Sequence, residues 1–173
     1  MFLAYLYKMK KIGLLSDTHS YIDQNILEHF EDCDEIWHAG DWGDVNVSDT
    51  LEKYKTLRGV YGNIDNSKIR LIHPKNQVFE IEGIKVYMTH IGGYPGKYSA
   101  EAKAIILKEK PNLFISGHSH ILKVIPDNKL NLLHINPGAA GIHGFHQIRT
   151  MVRFSIDNGK ISNLQVIELG KRV

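Results

Sequence analysis

Residues 11–41, KIGLLSDTHSYIDQNILEHFEDCDEIWHAGD, carry the reading that decides the fold. KIGLLS (11–16) is apolar enough for a buried strand and stops at Asp17. Ile22, Ile26, Leu27 and Phe30 then recur at helical spacing, predicting an amphipathic helix that ends near Asp32. EIWHA (35–39) reads as a second strand, ending at Gly40-Asp41. Beyond it, Val47, Leu51 and Tyr54 mark a second helix with Asn46 or Ser48 as its N-cap. Residues 56–61 read as a third strand running into Gly62-Asn63. Strand, helix, strand, helix, strand is the order of a parallel α/β sheet.

The second half changes texture. Residues 77–81 and 84–89 read as a hairpin around Glu82-Gly83 that ends at His90. Tyr98, Ala102, Ile105 and Ile106 form a helical stripe stopped by Lys110-Pro111. Residues 113–116 read as a strand ending at Gly117-His118. Residues 121–125 and 130–135 flank a Pro126-Asp127-Asn128 turn. Residues 150–156 and 160–169 flank Asp157-Asn158-Gly159, a strong hairpin signal. A helix-flanked sheet followed by hairpins suggests two sheets packed face to face with helices outside. With no repeat and no linker rich in Gly, Ser or Pro, residues 10–173 read as a single domain. Residues 1–9 read as an N-terminal tail with Met9 as an alternative start, since MFLAYLY is too short for a signal peptide and its lysines follow it.

Composition narrows the function. The 173 residues carry 21 basic and 19 acidic side chains, a net charge of +2. So small a balance gives no strong pull towards nucleic acid or an acidic membrane. No run approaches the roughly 18 apolar residues of a membrane span. Cys33 stands alone, which excludes an internal disulfide framework and suits the reducing cytoplasm. The ten histidines outnumber the eight tyrosines. Histidine is the commonest metal ligand, so where they sit is informative.

Five strand ends carry ligand-type residues: Asp17 and His19, then Asp41, Asn63, His90, and finally His118 with His120. In open α/β sheets functional groups collect beyond the carboxyl ends of the strands, so residues far apart in sequence would meet there. Taken singly, Asp17, Asp41 and Asn63 read as ordinary turn chemistry and His90 as a histidine closing a strand, whereas His118 and His120, two apart after a glycine, are firmer. Five in succession imply a shared task. Imidazole, carboxylate and amide donors without thiolate suit divalent Mn, Fe, Co, Ni or Zn. The remaining histidines read otherwise. His29 and His73 are expected in solvent and His134 as a structural strand residue. His38 is expected to support a ligand from behind. His143 and His146, in a glycine-containing loop after Asn136-Pro137-Gly138, could reach the rim of the crevice.

The ordered set D-x-H, G-D, G-N, H and G-H-x-H resembles the signature of calcineurin-like metallophosphoesterases. Its short spacing is similar to that of the YfcE-like phosphodiesterase branch. The likeness covers nearly the whole chain from about Lys10. It implies a four-layer αββα sandwich of two mixed β-sheets flanked by helices. It also implies two divalent metal ions per chain, manganese foremost. Asp17, His19, Asp41 and His120 would hold one, and Asp41, Asn63, His90 and His118 the other, with Asp41 bridging. In such a site a water between the two ions becomes the nucleophile. The implied substrate is a small phosphodiester, and a homo-oligomer is a further expectation.

One position departs from the resemblance. Many relatives read G-N-H-D or G-N-H-E, whose histidine protonates the leaving group, whereas this chain reads Gly62-Asn63-Ile64-Asp65. Loss of general acid catalysis costs on the order of 10²–10⁴ in rate. The expected activity is therefore phosphodiester hydrolysis with a preference for good leaving groups. Asp65 is expected to steady a ligand or its turn. Two alternatives accompany this reading: a non-catalytic scaffold on the same fold, and a phosphomonoesterase or nucleotide pyrophosphohydrolase that takes its proton from His143 or His146. No cluster of Arg or Lys adjoins the motifs in sequence to name the organic group recognised.

Overall fold

The structure, a computed structural model, describes residues 9–172; all of the expected tail except Met9 lies outside them. Its elements are β1 (Lys10–Leu15), α1 (Gln24–His29), β2 (Glu35–His38), α2 (Val45–Tyr54), β3 (Thr56–Gly59), α3 (Ser67–Ile72), β4 (Asn76–Ile81), β5 (Ile84–Thr89), β6 (Gly93–Tyr94), β7 (Lys97–Tyr98), α4 (Ala100–Glu109), β8 (Leu113–Ile115), β9 (Lys123–Asp127), β10 (Leu132–Asn136), β11 (Ile148–Asp157) and β12 (Lys160–Lys171). One sheet has the order β12-β11-β1-β2-β3 and the other β4-β5-β8-β10-β9. Both are mixed. β1, β2 and β3 run parallel, as do β5, β8 and β10, and antiparallel strands flank each set.

Alternation along the strands builds the layers. Ile12, Leu14, Trp37, Val152 and Phe154 of the first sheet meet Val86, Met88, Leu113, Ile115 and Ile135 of the second in the central core. The opposite face of the first sheet, including Leu15, Ile36 and Met151, packs on Ile26, Phe30, Val47, Leu51 and Ile69 from the region of α1, α2 and α3. Tyr87, Phe114 and Leu132 face outward from the second sheet against Ala102 and Ile106 of α4. The result is the expected four-layer αββα sandwich. Gly13 permits the packing of the first sheet on Phe30: a Cβ there would lie 2.3 Å from the Phe30 ring. Gly13→Ala should therefore overpack this seam at a cost of about 1–3 kcal/mol.

Several local expectations are corrected. α1 stops at His29 and continues as turns through Asp32. The N-cap of α2 is Asp44, which accepts the Asn46 amide; Ser48 instead points inward to His73. Pro126 lies within β9 rather than in a turn. β9 is an edge strand, where a missing N–H is tolerated. The chain turns at 128–131 instead. The short helix α3, capped by Asn66, and the β6–β7 hairpin were not expected. Among the described residues no helix is long and apolar enough to cross a membrane.

Candidate metal centre

The loops leaving the parallel strands are tied to one another. Asp17 and His19 donate backbone N–H bonds to the carbonyls of Gly40 and Asp41, at 2.9 and 3.1 Å. Gly117 donates to the carbonyl of His90 at 3.0 Å, which joins the second sheet's loops in the same manner. Asp17, His19, Asp41, His118 and His120 all adopt positive φ. Non-glycine residues rarely do, and such strain gathers at functional sites held by their surroundings. Gly62 is required by close approach, because a Cβ there would lie 2.0 Å from Asp41 Oδ1.

All seven expected ligands meet at this convergence. Their donor atoms form two groups, Asp17 with His19 and His120, and Asp41 with His90 and His118; within each, every donor atom lies within 4.8 Å of the others. Asn63 joins the second group, its Oδ1 3.2 Å from His90 Nε2. Asp41 lies between the groups, with Oδ1 3.2 Å from His90 Nε2 and Oδ2 3.8 Å from His19 Nε2.

The donor atoms fit cations. Asp17 Oδ2 accepts from Ser16 Oγ and from the His118 amide, but Oδ1 is buried without a hydrogen-bond partner. The nitrogens His120 Nε2 and His90 Nε2 face this oxygen at 3.2 and 3.9 Å. His90 Nδ1 lies 2.8 Å from the Ala39 carbonyl and must donate to it. In the neutral ring, that leaves Nε2 with the lone pair. This lone pair faces two acceptor oxygens, those of Asp41 and Asn63, an arrangement that calls for a proton or a cation between them. His19 Nε2 and His120 Nε2 lie 3.2 Å apart, so one ring donates to the other, and both nitrogens point into the same group.

The electrostatics agree. Burial pushes the Asp41 carboxyl up, but the His90 hydrogen bond and charge, the Ile64 amide and His19 outweigh it, and the group stays below its ordinary range. Burial lowers His90, yet Asp41 and Asp17 more than offset it and raise the imidazole. For His19 burial prevails and the pKa falls.

Asp65 is buried and accepts three amides, those of Gly62 and Asp41 on Oδ2 at 2.7 and 3.1 Å and that of Gly43 on Oδ1 at 2.9 Å. It thereby ties the turn that carries Asn63 to the loop that carries Asp41. His38 is buried between Thr18 Oγ1 at 3.0 Å and the Gly40 amide at 3.1 Å, so it orders the backbone behind Asp17 and Asp41. Its pKa falls far below the ordinary value through burial. His73 corrects an expectation. It is buried rather than solvated, held by Ser48 Oγ at 2.8 Å and stacked on Trp42, which stacks in turn on His38. His29 is half-buried, and His134 is buried against Ser116 Oγ. The His143 ring lies 6.5 Å from that of His19, and the His146 ring 5.2 Å from that of His120.

A cavity of about 450 Å³ opens over the centre, bounded by His19, Asp41, Asn63, His120, His146 and Ile64. Ile64 is 46 % exposed there. A second cavity, of about 480 Å³, adjoins Asn63 and His90 and contains Arg70 and Lys75. No basic cluster near the motifs was expected. The signal was the single Arg70 seven residues after Asn63, and its meaning depended on the short helix α3.

Comparison with known proteins agrees with this geometry. The calcineurin-like phosphoesterase superfamily domain model matches residues 9–159. A probable metallophosphoesterase of Methanothermobacter thermautotrophicus is 29 % identical over 169 residues, covering 94 % of each chain. An archaeal phosphodiesterase structure superposes with a TM-score of 0.71 at 24 % identity, over 92 % of this chain and 99 % of that one. Vps29 of Entamoeba histolytica, solved with zinc, gives a TM-score of 0.70 at 16 % identity, over 92 % and 98 %. Fold, converging donors and sequence match together place the chain in the calcineurin-like phosphoesterase superfamily.

Proposed function

We propose that this protein hydrolyses phosphodiester bonds of a small substrate with two divalent metal ions, manganese foremost. The carrying observation is the pair of donor groups that meet at Asp41, with the buried, unpartnered Asp17 Oδ1 beside them. Asp17, His19, Asp41 and His120 would hold one ion, and Asp41, Asn63, His90 and His118 the other. When bound, such ions supply Lewis acidity towards phosphoryl oxygens and lower the pKa of a water molecule.

The chain's own residues do the rest. Asp41 directs one oxygen to each donor group and stays ionised. The carbonyl of Ala39 holds the His90 ring, and the Asp65 carboxylate holds the backbone of Asp41. Ile64 borders the cavity where many relatives have a proton donor, and it supplies none. Substrates whose leaving group departs without a proton are therefore favoured over alkyl phosphomonoesters. The free, buried Cys33 suits a cytoplasmic setting.

The test is hydrolysis of bis-p-nitrophenyl phosphate with added Mn. Turnover is expected, along with its loss on chelation and in Asp41→Asn. Full activity in Asp41→Asn would refute the bridging role. A second reading, a scaffold that binds protein partners, draws on the Vps29 likeness and on the exposed Phe145, Ile121 and Ile64 at the cavity mouth. Metal-loaded protein that turns over no phosphoester would favour it.

A further inference from the structure

We propose that the cavity beside Asn63 and His90 is a subsite for a second anionic group of the substrate, a phosphate or carboxylate, with Arg70 as its main contact. This rests on the phosphodiester-hydrolase reading and adds a substrate class to it.

Arg70 is built into the turn that carries Asn63. Its Nε donates to the Asp65 carbonyl at 2.7 Å and its Nη2 to the Asn63 carbonyl at 3.3 Å. The guanidinium lies 4.7 Å over the Tyr61 ring. These contacts orient the group before any ligand arrives, which reduces the ordering cost of binding. All of its partners are uncharged, and no carboxylate pairs with it among the described residues.

Lys75, in the same cavity, differs. Its Nζ lies 2.6 Å from Glu101 Oε2, and Asn76 Nδ2 holds the other Glu101 oxygen at 3.0 Å. Lysine and glutamate cancel, which leaves Arg70 as the uncompensated charge. Its Nη1 and the second Nη2 hydrogen remain for a forked contact with an oxyanion. Asn63 and His90 border both this cavity and the candidate metal centre, so a ligand that spans them carries its second anion a few bonds from the scissile phosphate.

The experiment uses the full chain with Mn and two substrates that share leaving group and scissile bond, thymidine 5′-(p-nitrophenyl phosphate) and its 3′-phosphorylated counterpart. The wild type should favour the 3′-phosphorylated substrate by about tenfold in kcat/KM, through KM. That ratio should fall towards one in Arg70→Met and survive in part in Arg70→Lys. Equal kcat/KM in the wild type would overturn the subsite while the hydrolase reading stands. So would an Arg70→Met variant that loses both substrates equally, which would make Arg70 only a brace of the turn. Calorimetry with adenosine 3′,5′-bisphosphate against adenosine 5′-monophosphate tests the subsite without turnover. The wild type should bind the bisphosphate about tenfold more tightly and Arg70→Met should not; equal affinities in the wild type would refute the proposal.

Discussion

The two donor groups differ in how far the protein orients them unaided. In the group of Asp41, His90 and His118, the His90 ring is held by the Ala39 carbonyl, Asp41 Oδ1 by the Ile64 amide, and the Asp41 backbone by Asp65. In the group of Asp17, His19 and His120, Asp17 Oδ2 is held by Ser16 Oγ and the His118 amide while Oδ1 stays unpartnered, and the rings of His19 and His120 meet each other nitrogen to nitrogen. The braced group carries its orientation in the fold. The other holds Asp17 but leaves its two imidazoles to orient each other, a role that a bound cation would take over. Loading should therefore be ordered, with the site around Asp41 and His90 filling at lower metal concentration.

Asp41→Asn strikes the residue common to both groups, so it should have the largest effect. Loss of supporting residues alone typically costs 10–100-fold, and loss of this carboxylate should exceed that, by roughly 10³-fold in diester turnover. Steady-state kinetics over a Mn series checks it. Ile64→His restores a proton donor beside the cavity and should raise the monoesterase-to-diesterase ratio by up to about 10². An unmoved ratio would mean that the proton comes from elsewhere. Asp65→Ala leaves three amides near the centre without their acceptor and should lower diester turnover by about 10–100-fold. Because unsatisfied buried groups cost about 1–3 kcal/mol each, the melting temperature should fall as well. If activity falls while metal affinity at both sites is unchanged, the bracing described for the Asp41 group is wrong.

The smallest effect on turnover, though not on stability, belongs to the frame behind the centre. Burial depresses His73 to about 4. Its unfolded value lies near 6.5, so between these pH values the unfolded chain binds the extra proton. The stabilising contribution is complete above about pH 6.5 and is lost as pH falls towards 4, by up to about 3 kcal/mol. Urea melts of the chelated protein at pH 7.5 and 5 should show this slope, and His73→Gln should reduce it by the His73 share, leaving that of the other buried histidines, His38 and His134. An equal slope in the variant would place the titration elsewhere.

The parts of this molecule that could be read from sequence are those whose chemistry is local. The succession of strands along the chain follows from apolar runs that end in turns, and all seven expected donors converge because each follows a strand on the same edge of the sandwich. What escaped depends on tertiary partners. His73, next to a proline, looked solvated, but Ser48 on α2 and the Trp42 ring enclose it. Pro126 looked like a turn because its tolerance in β9 depends on that strand lying at an edge. Arg70, seven residues after Asn63, had no readable meaning, since its place beside the metal centre comes from a six-residue helix with one buried side chain, Ile69.

Two ions held on a shared Asp41 can be counted in the metal content of the purified chain after saturation with Mn and dialysis, compared with that of His120→Gln. The wild type should hold about two ions per chain and the variant about one, with the ion near Asp41 and His90 retained. No bound metal in the wild type, or identical content in both proteins, would contradict the shared two-ion centre.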